Sequence, residues 1–394
     1  DKFSNLGVTK FTGCFTLFLL FLLWLVACTA IGARAPRPRN ANAGRDVTLW
    51  GVLAFAGTSL ISTFTSLSPT ASTWGLGGYY GGLMLVLFTA AGYWAVRSYL
   101  DLENLDFVFW VLGITTSIVA VLYVLNIFNI DLIGAYADTA VVERAQFFST
   151  LGQKDFNGCF FSVALPIVFY QFLNAKDTRT AVWTGIPAAF GALALAVVDS
   201  EALALGIGAA VMVLVCHKNF TTRHLRRAAL ISAAFFGWAA WMHYMRASVY
   251  TQGGTALLAK LGAWQVALPC MAASLLLWLV LFVLARKGIA AQAPLYLPGR
   301  VITIAVLAVG ALAFVLANAM PNLPLPESLH NLLVFNDDWG TYRGVAWRAA
   351  FGTWADGSLL RKIVGIGPGM MHTAVAAWAG DAMTARMATF YAAH

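Results

Sequence analysis

Ten apolar runs, each between 15 and 23 residues long and free of Asp, Glu, Lys and Arg, dominate this 394-residue chain. They lie at 11–32, 48–66, 79–96, 107–129, 158–174, 181–198, 202–216, 228–245, 263–285 and 301–319. A bilayer hydrocarbon core of about 30 Å takes about twenty residues of helix to cross. Backbone N–H and C=O groups in lipid must be satisfied within their own segment, so such runs form helices and not open strands. The expected fold is all-α: a polytopic bundle of about ten spanning helices over residues 1–319, then a large, partly helical outer-face segment over 320–394. The runs 181–198 and 202–216 form a hairpin that turns at Asp199, Ser200 and Glu201.

Composition agrees. Hydrophobic residues make up 60% of the chain and charged residues only 11%, where a water-facing surface needs roughly a quarter. The partner this implies is the lipid bilayer. Fourteen Trp and twelve Tyr suit interfacial belts. The net charge of +8 is spread over short connections and forms no basic face, so a nucleic-acid partner is excluded. Five scattered cysteines and six histidines show no CxxC pair and no metal-ligand spacing, which leaves the metal and cofactor expectation at none.

Charge separates the connections by side. Segments 33–47, 175–180, 217–227 and 286–300 carry the Arg and Lys residues and belong in the cytoplasm. Segments 67–78, 130–157 and 199–201 are poor in both and belong outside, as does everything after 319. Segment 97–106 falls inside by alternation, although its three acids outnumber Arg97. The N-terminus falls outside, the run at 11–32 is too long for a signal-peptide core, and the first residue is not Met. The chain is therefore expected to be truncated at both ends.

The segment from Pro321 onward differs in kind. "GTYRGVAWRAAF" (Gly340 to Phe351) sets Arg343, Trp347 and Ala350 on one helical face, with Arg348 beside Trp347. This pattern fits an amphipathic helix at the interface, with Trp as its anchor. It equally fits an anion site, since a guanidinium fork matches phosphate oxygens. "LRKIVGIGPGMM" joins Arg361 and Lys362 to Gly365, Gly367 and Gly369. Glycines of this kind either make a plain turn or let backbone N–H groups approach an anion.

In order along the chain, four stretches resemble the bacterial O-antigen ligase and polymerase superfamily. They are "FFSTLGQKDFNGCFFSVALPIVFY" (Phe147 to Tyr170), "AVVDSEALALGIG" (Ala196 to Gly208), "TYRGVAWRAAF" followed by "GIGPGMM", and the closing "FYAAH". Glu201 departs from the pattern, where many members carry Arg. The resemblance implies a metal-independent membrane glycosyltransferase of the bacterial inner membrane. Its donor would be a glycan on a polyprenyl diphosphate, and its acceptor the hydroxyl of a glycan, glycolipid or other molecule. Arg343 would hold the diphosphate, with Trp347, Arg348, Arg361, Lys362, Gly365, Gly367 and Gly369 completing the substrate site. His394 would be the general base. The alternative is a multi-pass transporter or flippase of a lipid-linked glycan or small solute, which calls for charged or helix-breaking residues at mid-membrane.

Overall fold

The computed structural model describes residues 6–31, 47–75, 80–99, 105–134, 136, 147–249, 251, 261–289, 292–320, 324–337, 339–371 and 373–376. Ten long helices coincide with the ten apolar runs. They are α1 (Leu6–Ala30), α2 (Val47–Phe64), α4 (Leu83–Tyr99), α5 (Leu105–Ile127), α6 (Lys154–Asn174), α7 (Thr178–Val197), α8 (Glu201–Cys216), α9 (Thr222–Ser248), α10 (Trp264–Arg286) and α11 (Tyr296–Ala319). Shorter helices are α3 (Pro69–Trp74), α12 (Glu327–Leu333), α13 (Trp339–Ala355) and α14 (Leu359–Val364). A two-residue hairpin, β1 (Phe147–Phe148) with β2 (Gly152–Gln153), precedes α6.

Among the described residues, six helices are long and apolar enough to cross a membrane: α2, α5, α6, α7, α10 and α11. Their charged residues stay near their ends, as Asp106, Lys154, Asp155, Arg179, Arg286 and Arg300. The other four runs fall short for separate reasons. The apolar stretches Phe11–Trp24, Leu83–Arg97 and Glu201–Cys216 are brief; at 1.5 Å per residue the 16 residues of α8 rise about 24 Å. Helix α9 is long, at 27 residues, but Arg223, Arg226, Arg227 and Arg246 at its two ends dilute its hydropathy.

The chain divides into two compact units, residues 1–102 with 312–394, and residues 103–311. In the first, α2 lies along α4, with α3 against both and α14 touching α2. Phe11 stacks on Tyr80 at 4.6 Å and Phe18 meets Phe88 edge-on at 4.9 Å, which ties α1 to α4 and the turn before it. Asn318 near the end of α11 donates to Leu333 O and accepts from Phe335 N, both at 2.8 Å, and so closes α12.

In the second unit α5, α6, α7, α8 and α9 pack around Tyr123, Phe148, Phe161, Leu165 and Leu193, and α10 lies along α9. Gly158 lets α6 meet the start of α8, since a Cβ there would lie 2.4 Å from the Ser200 Cβ.

Each end of this unit gathers one class of connection. At one end Arg223 donates to the carbonyls of Ala175 and Lys176, and Arg227 Nη1 to Leu173 O at 2.9 Å. Arg300 Nε donates to Cys216 O at 3.1 Å, while Thr222 N and Leu295 N pair with Ala293 O and Phe220 O. The last carbonyls of a helix lack internal partners and carry its negative dipole end, so guanidinium groups suit them. The basic segments 175–180, 217–227 and 286–300 thus share one end. At the other end lie β1, β2 and the Asp199 turn, drawn from segments poor in Lys and Arg.

Candidate functional site

Within the first unit, the polar segment after α11 meets a hydroxyl-rich stretch that joins α2 to α3. Ten of the sixteen residues from Thr58 to Thr73 are Ser or Thr. Ser59, Ser62, Thr63 and Ser72 are buried. In a helix, Ser and Thr satisfy themselves on carbonyls one turn back, as Thr63 does on Ser59 O at 2.8 Å and Ser62 on the same oxygen at 3.0 Å. Ser72 Oγ then donates to Thr63 Oγ1 at 3.2 Å, linking α3 to α2. Ser68 caps α3 by accepting from Ala71 N.

The glycine loop lies on this ledge. Gly365, Gly367 and Gly369 all have positive φ, at 89°, 102° and 72°. Gly365 ends α14, its N–H donating to Arg361 O at 2.9 Å. At Gly367 the requirement is double: the φ favours glycine, and a Cβ would lie 2.5 Å from Ser72 Oγ and 2.9 Å from Ser66 Cβ. The loop is therefore more than a turn between two interfacial helices, because it packs backbone-on against α3.

Beside it a cavity of about 260 Å³ is lined by Thr65, Leu67, Thr353, Asp356, Gly357, Arg361, Ile366 and Ala374. One cation, one carboxylate and two hydroxyl residues thus face a space bounded by α2, α13 and α14. Of the residues singled out by sequence, Arg361 lines this space, and Gly365 and Gly367 flank Ile366, which lines it as well. Lys362 turns instead over the Trp354 ring, 5.9 Å from its centroid. Arg348 forms an ion pair with Asp337. Trp347 is exposed and meets Trp339 edge-on at 5.3 Å.

Arg343 sits in α13 one turn before Trp347; its side chain and the whole of His394 lie outside the described residues. Helix α13 has the two-faced character expected of an interfacial helix. Val345 and Ala349 are buried against Val375, whereas Trp347, Phe351 and Trp354 are exposed along the opposite stripe.

Sequence reasoning missed the hydroxyl ledge, although ten hydroxyls in sixteen residues is a visible signal. At the head of α6, Lys154 Nζ lies 3.0 Å from Asp199 Oδ2, and Ser200 Oγ donates to Asp155 Oδ1 at 3.3 Å. Close by, Asn157 is fully buried and donates to the carbonyls of Phe148, Gly152 and Gln153, at 3.0 to 3.2 Å. Tyr136 donates to Ser149 O at 2.5 Å, and burial followed by the Asp131 charge pushes its phenol well above the ordinary range. The stretch around "LGQKDFNG" is therefore a folded polar knot at the head of α6. Among the described residues, no group of three His, Cys, Asp or Glu side chains converges as a metal site would require. No protein family, curated protein or solved structure matches this chain.

Proposed function

We propose that this chain is a membrane glycosyltransferase of the O-antigen ligase and polymerase type, seated in the bacterial inner membrane. In this reading α1, α4, α8 and α9 join the six longer apolar helices to make ten spans, and residues 321–394 lie outside the cytoplasm. The acceptor hydroxyl oxygen attacks the anomeric carbon of a glycan held on a polyprenyl diphosphate. The bond from that carbon to the diphosphate oxygen breaks, His394 takes the hydroxyl proton, and polyprenyl diphosphate leaves. Charge developing on the leaving group is met by fixed cations, Arg343 first and Arg361 beside it. Such preorganised cations act most strongly where charge appears only in the transition state. A histidine suits the base, since its pKa lies near neutrality.

The observation that carries the reading is the packing of the left-handed glycine loop on the hydroxyl ledge, with Arg361 lining the cavity beside it. The Arg361 guanidinium supplies donors and a fixed charge for phosphate oxygens. The exposed Trp347, Phe351 and Trp354 fit a site held at the level of the membrane interface, where a lipid-linked donor resides. The absence of charge from the middle of the six apolar helices weighs against a transporter. Binding tests the proposal: purified protein in nanodiscs should retain polyprenyl diphosphate over polyprenyl monophosphate in native mass spectrometry, and Arg361→Ala should reduce that preference. Equal retention of the two lipids would count against it.

A further inference from the structure

Two guanidinium groups from neighbouring helices converge on one aromatic ring at the basic end of the second unit. Arg226, in the second turn of α9, places its Cζ 5.8 Å from the Phe282 ring centroid, and Arg286, at the end of α10, places its own 5.2 Å from it. The two Cζ atoms are thus no more than about 11 Å apart. Phe282 is itself fixed, stacked on Trp278 at 5.5 Å. Two like charges gathered at one ring favour an anion beside them. Among the described residues no carboxylate pairs with either group, and sequence explains why. From Ala202 to Pro326 the chain has nine Lys and Arg and not one Asp or Glu.

The neighbouring cations are already committed. Arg223 and Arg227 are bound to the carbonyls at the end of α6, and Arg300 to that of α8. Burial, then the charges of Arg223 and Arg226, lowers the Arg227 pKa to about 10. Arg226 and Arg286 are half-buried and exposed respectively.

What lies below them on α10 decides the kind of anion. Leu276, Leu279 and Val283 are exposed and share a face at helical spacing, and Arg286 continues that face. A stripe of exposed aliphatic side chains that ends in two unpaired guanidinium groups matches an acyl chain that ends in a phosphate. We infer that Arg226 and Arg286, braced on Phe282, clamp the phosphate of an anionic phospholipid whose chains run along α10. Basic pockets between helices on the cytoplasmic side are suited to such headgroups, and the site is separate from the glycosyl-transfer reading in both place and chemistry.

The test uses the full chain in nanodiscs, with native mass spectrometry counting retained lipid. The parent protein should retain phosphatidylglycerol at least several-fold over phosphatidylcholine. The pair R226Q and R286Q together should abolish that preference, and R226K with R286K should keep part of it. K176Q with R179Q removes the same charge from another connection at that end and should leave the preference unchanged. Equal retention of the two lipids by the parent would overturn the inference without any variant having to fold. So would an equal loss in both glutamine pairs, which reports only general surface charge. Displacement of the lipid by millimolar inorganic phosphate would show a simple anion site and would overturn it as well.

Discussion

Lys154 and Asp199 face each other at 3.0 Å across the starts of α6 and the α7–α8 turn, 45 residues apart in sequence. Both side chains keep contact with solvent, at 38% and 24% exposure. A pair of this kind contributes about 0–1 kcal/mol, so Lys154→Ala should change stability little. Asn157, one turn further along α6, should behave oppositely. Its carboxamide serves three buried carbonyls and meets Ser149 Oγ at 2.6 Å. Leaving such groups unpaired costs about 1–3 kcal/mol each. Asn157→Ala should therefore lower the unfolding midpoint in detergent far more than Lys154→Ala. Equal shifts would contradict the assignment of the head of α6 to Asn157.

The glycine loop gives a second expectation. Gly367→Ala adds a Cβ into Ser72 and Ser66 at a positive φ, and backbone strain of this type costs about 1–3 kcal/mol. Transfer activity should fall with the fold of the loop, and Ser72→Ala should relieve only the Oγ clash, leaving the Ser66 contact and the backbone strain. Gly81→Ala, where a Cβ meets nothing within 4 Å, should be mild by comparison.

Much of the fold was legible in the sequence because membrane helices announce themselves by length and lack of charge. Each apolar run overlaps one long helix, and the turn at Asp199 to Glu201 separated α7 from α8 as expected. The number able to span was less legible. Only length separates α8, at 16 residues, from α10, at 23, since both are uncharged in their middles. The site was legible only as a list. Arg361 and the glycine loop were singled out, but the ledge they meet lies nearly three hundred residues earlier, beyond any local pattern. Arg348 read as a free anion ligand, and its pairing with Asp337 depends on how the segment before α13 folds back. The basic loop residues read as markers of sidedness, and nothing in their spacing gave away their use as caps on neighbouring helices.

Acid should loosen the basic end of the second unit. Burial, then the charges of Arg223 and Arg227, depresses the pKa of His224. Its Nδ1 accepts from Thr221 N at 3.2 Å, and its Nε2 lies 3.2 Å from Asn174 Oδ1. The unfolded imidazole takes up its proton near pH 6.5, whereas the folded one resists to lower pH. Between those values the unfolded state binds more protons, so stability rises with pH. The His224 contribution is complete above about pH 6.5 and is lost as pH falls through the folded pKa. The protection factor of the Thr221 amide should fall as pH is lowered through that window, and His224→Gln should flatten the dependence. A parent profile that matches the glutamine variant would contradict it.

Arg343 separates the two uses of α13. As a diphosphate ligand it needs the guanidinium fork, so Arg343→Ala should reduce transfer by about 10²-fold or more, and Arg343→Lys should recover little. As an interfacial anchor it needs only charge, and Lys should then serve. Initial rates of glycan transfer in nanodiscs, with expression and unfolding midpoint as controls, distinguish these outcomes.

The central claim is bond-breaking transfer, and one assay addresses it directly. The protein is reconstituted in liposomes that contain a labelled glycan on polyprenyl diphosphate, with a soluble hydroxyl acceptor outside and a chelator throughout. The account predicts glycan on the acceptor and an equal amount of free polyprenyl diphosphate in the membrane, both lost in His394→Ala. Intact lipid-linked glycan crossing the bilayer, with no free polyprenyl diphosphate formed, would contradict it and leave a flippase in its place.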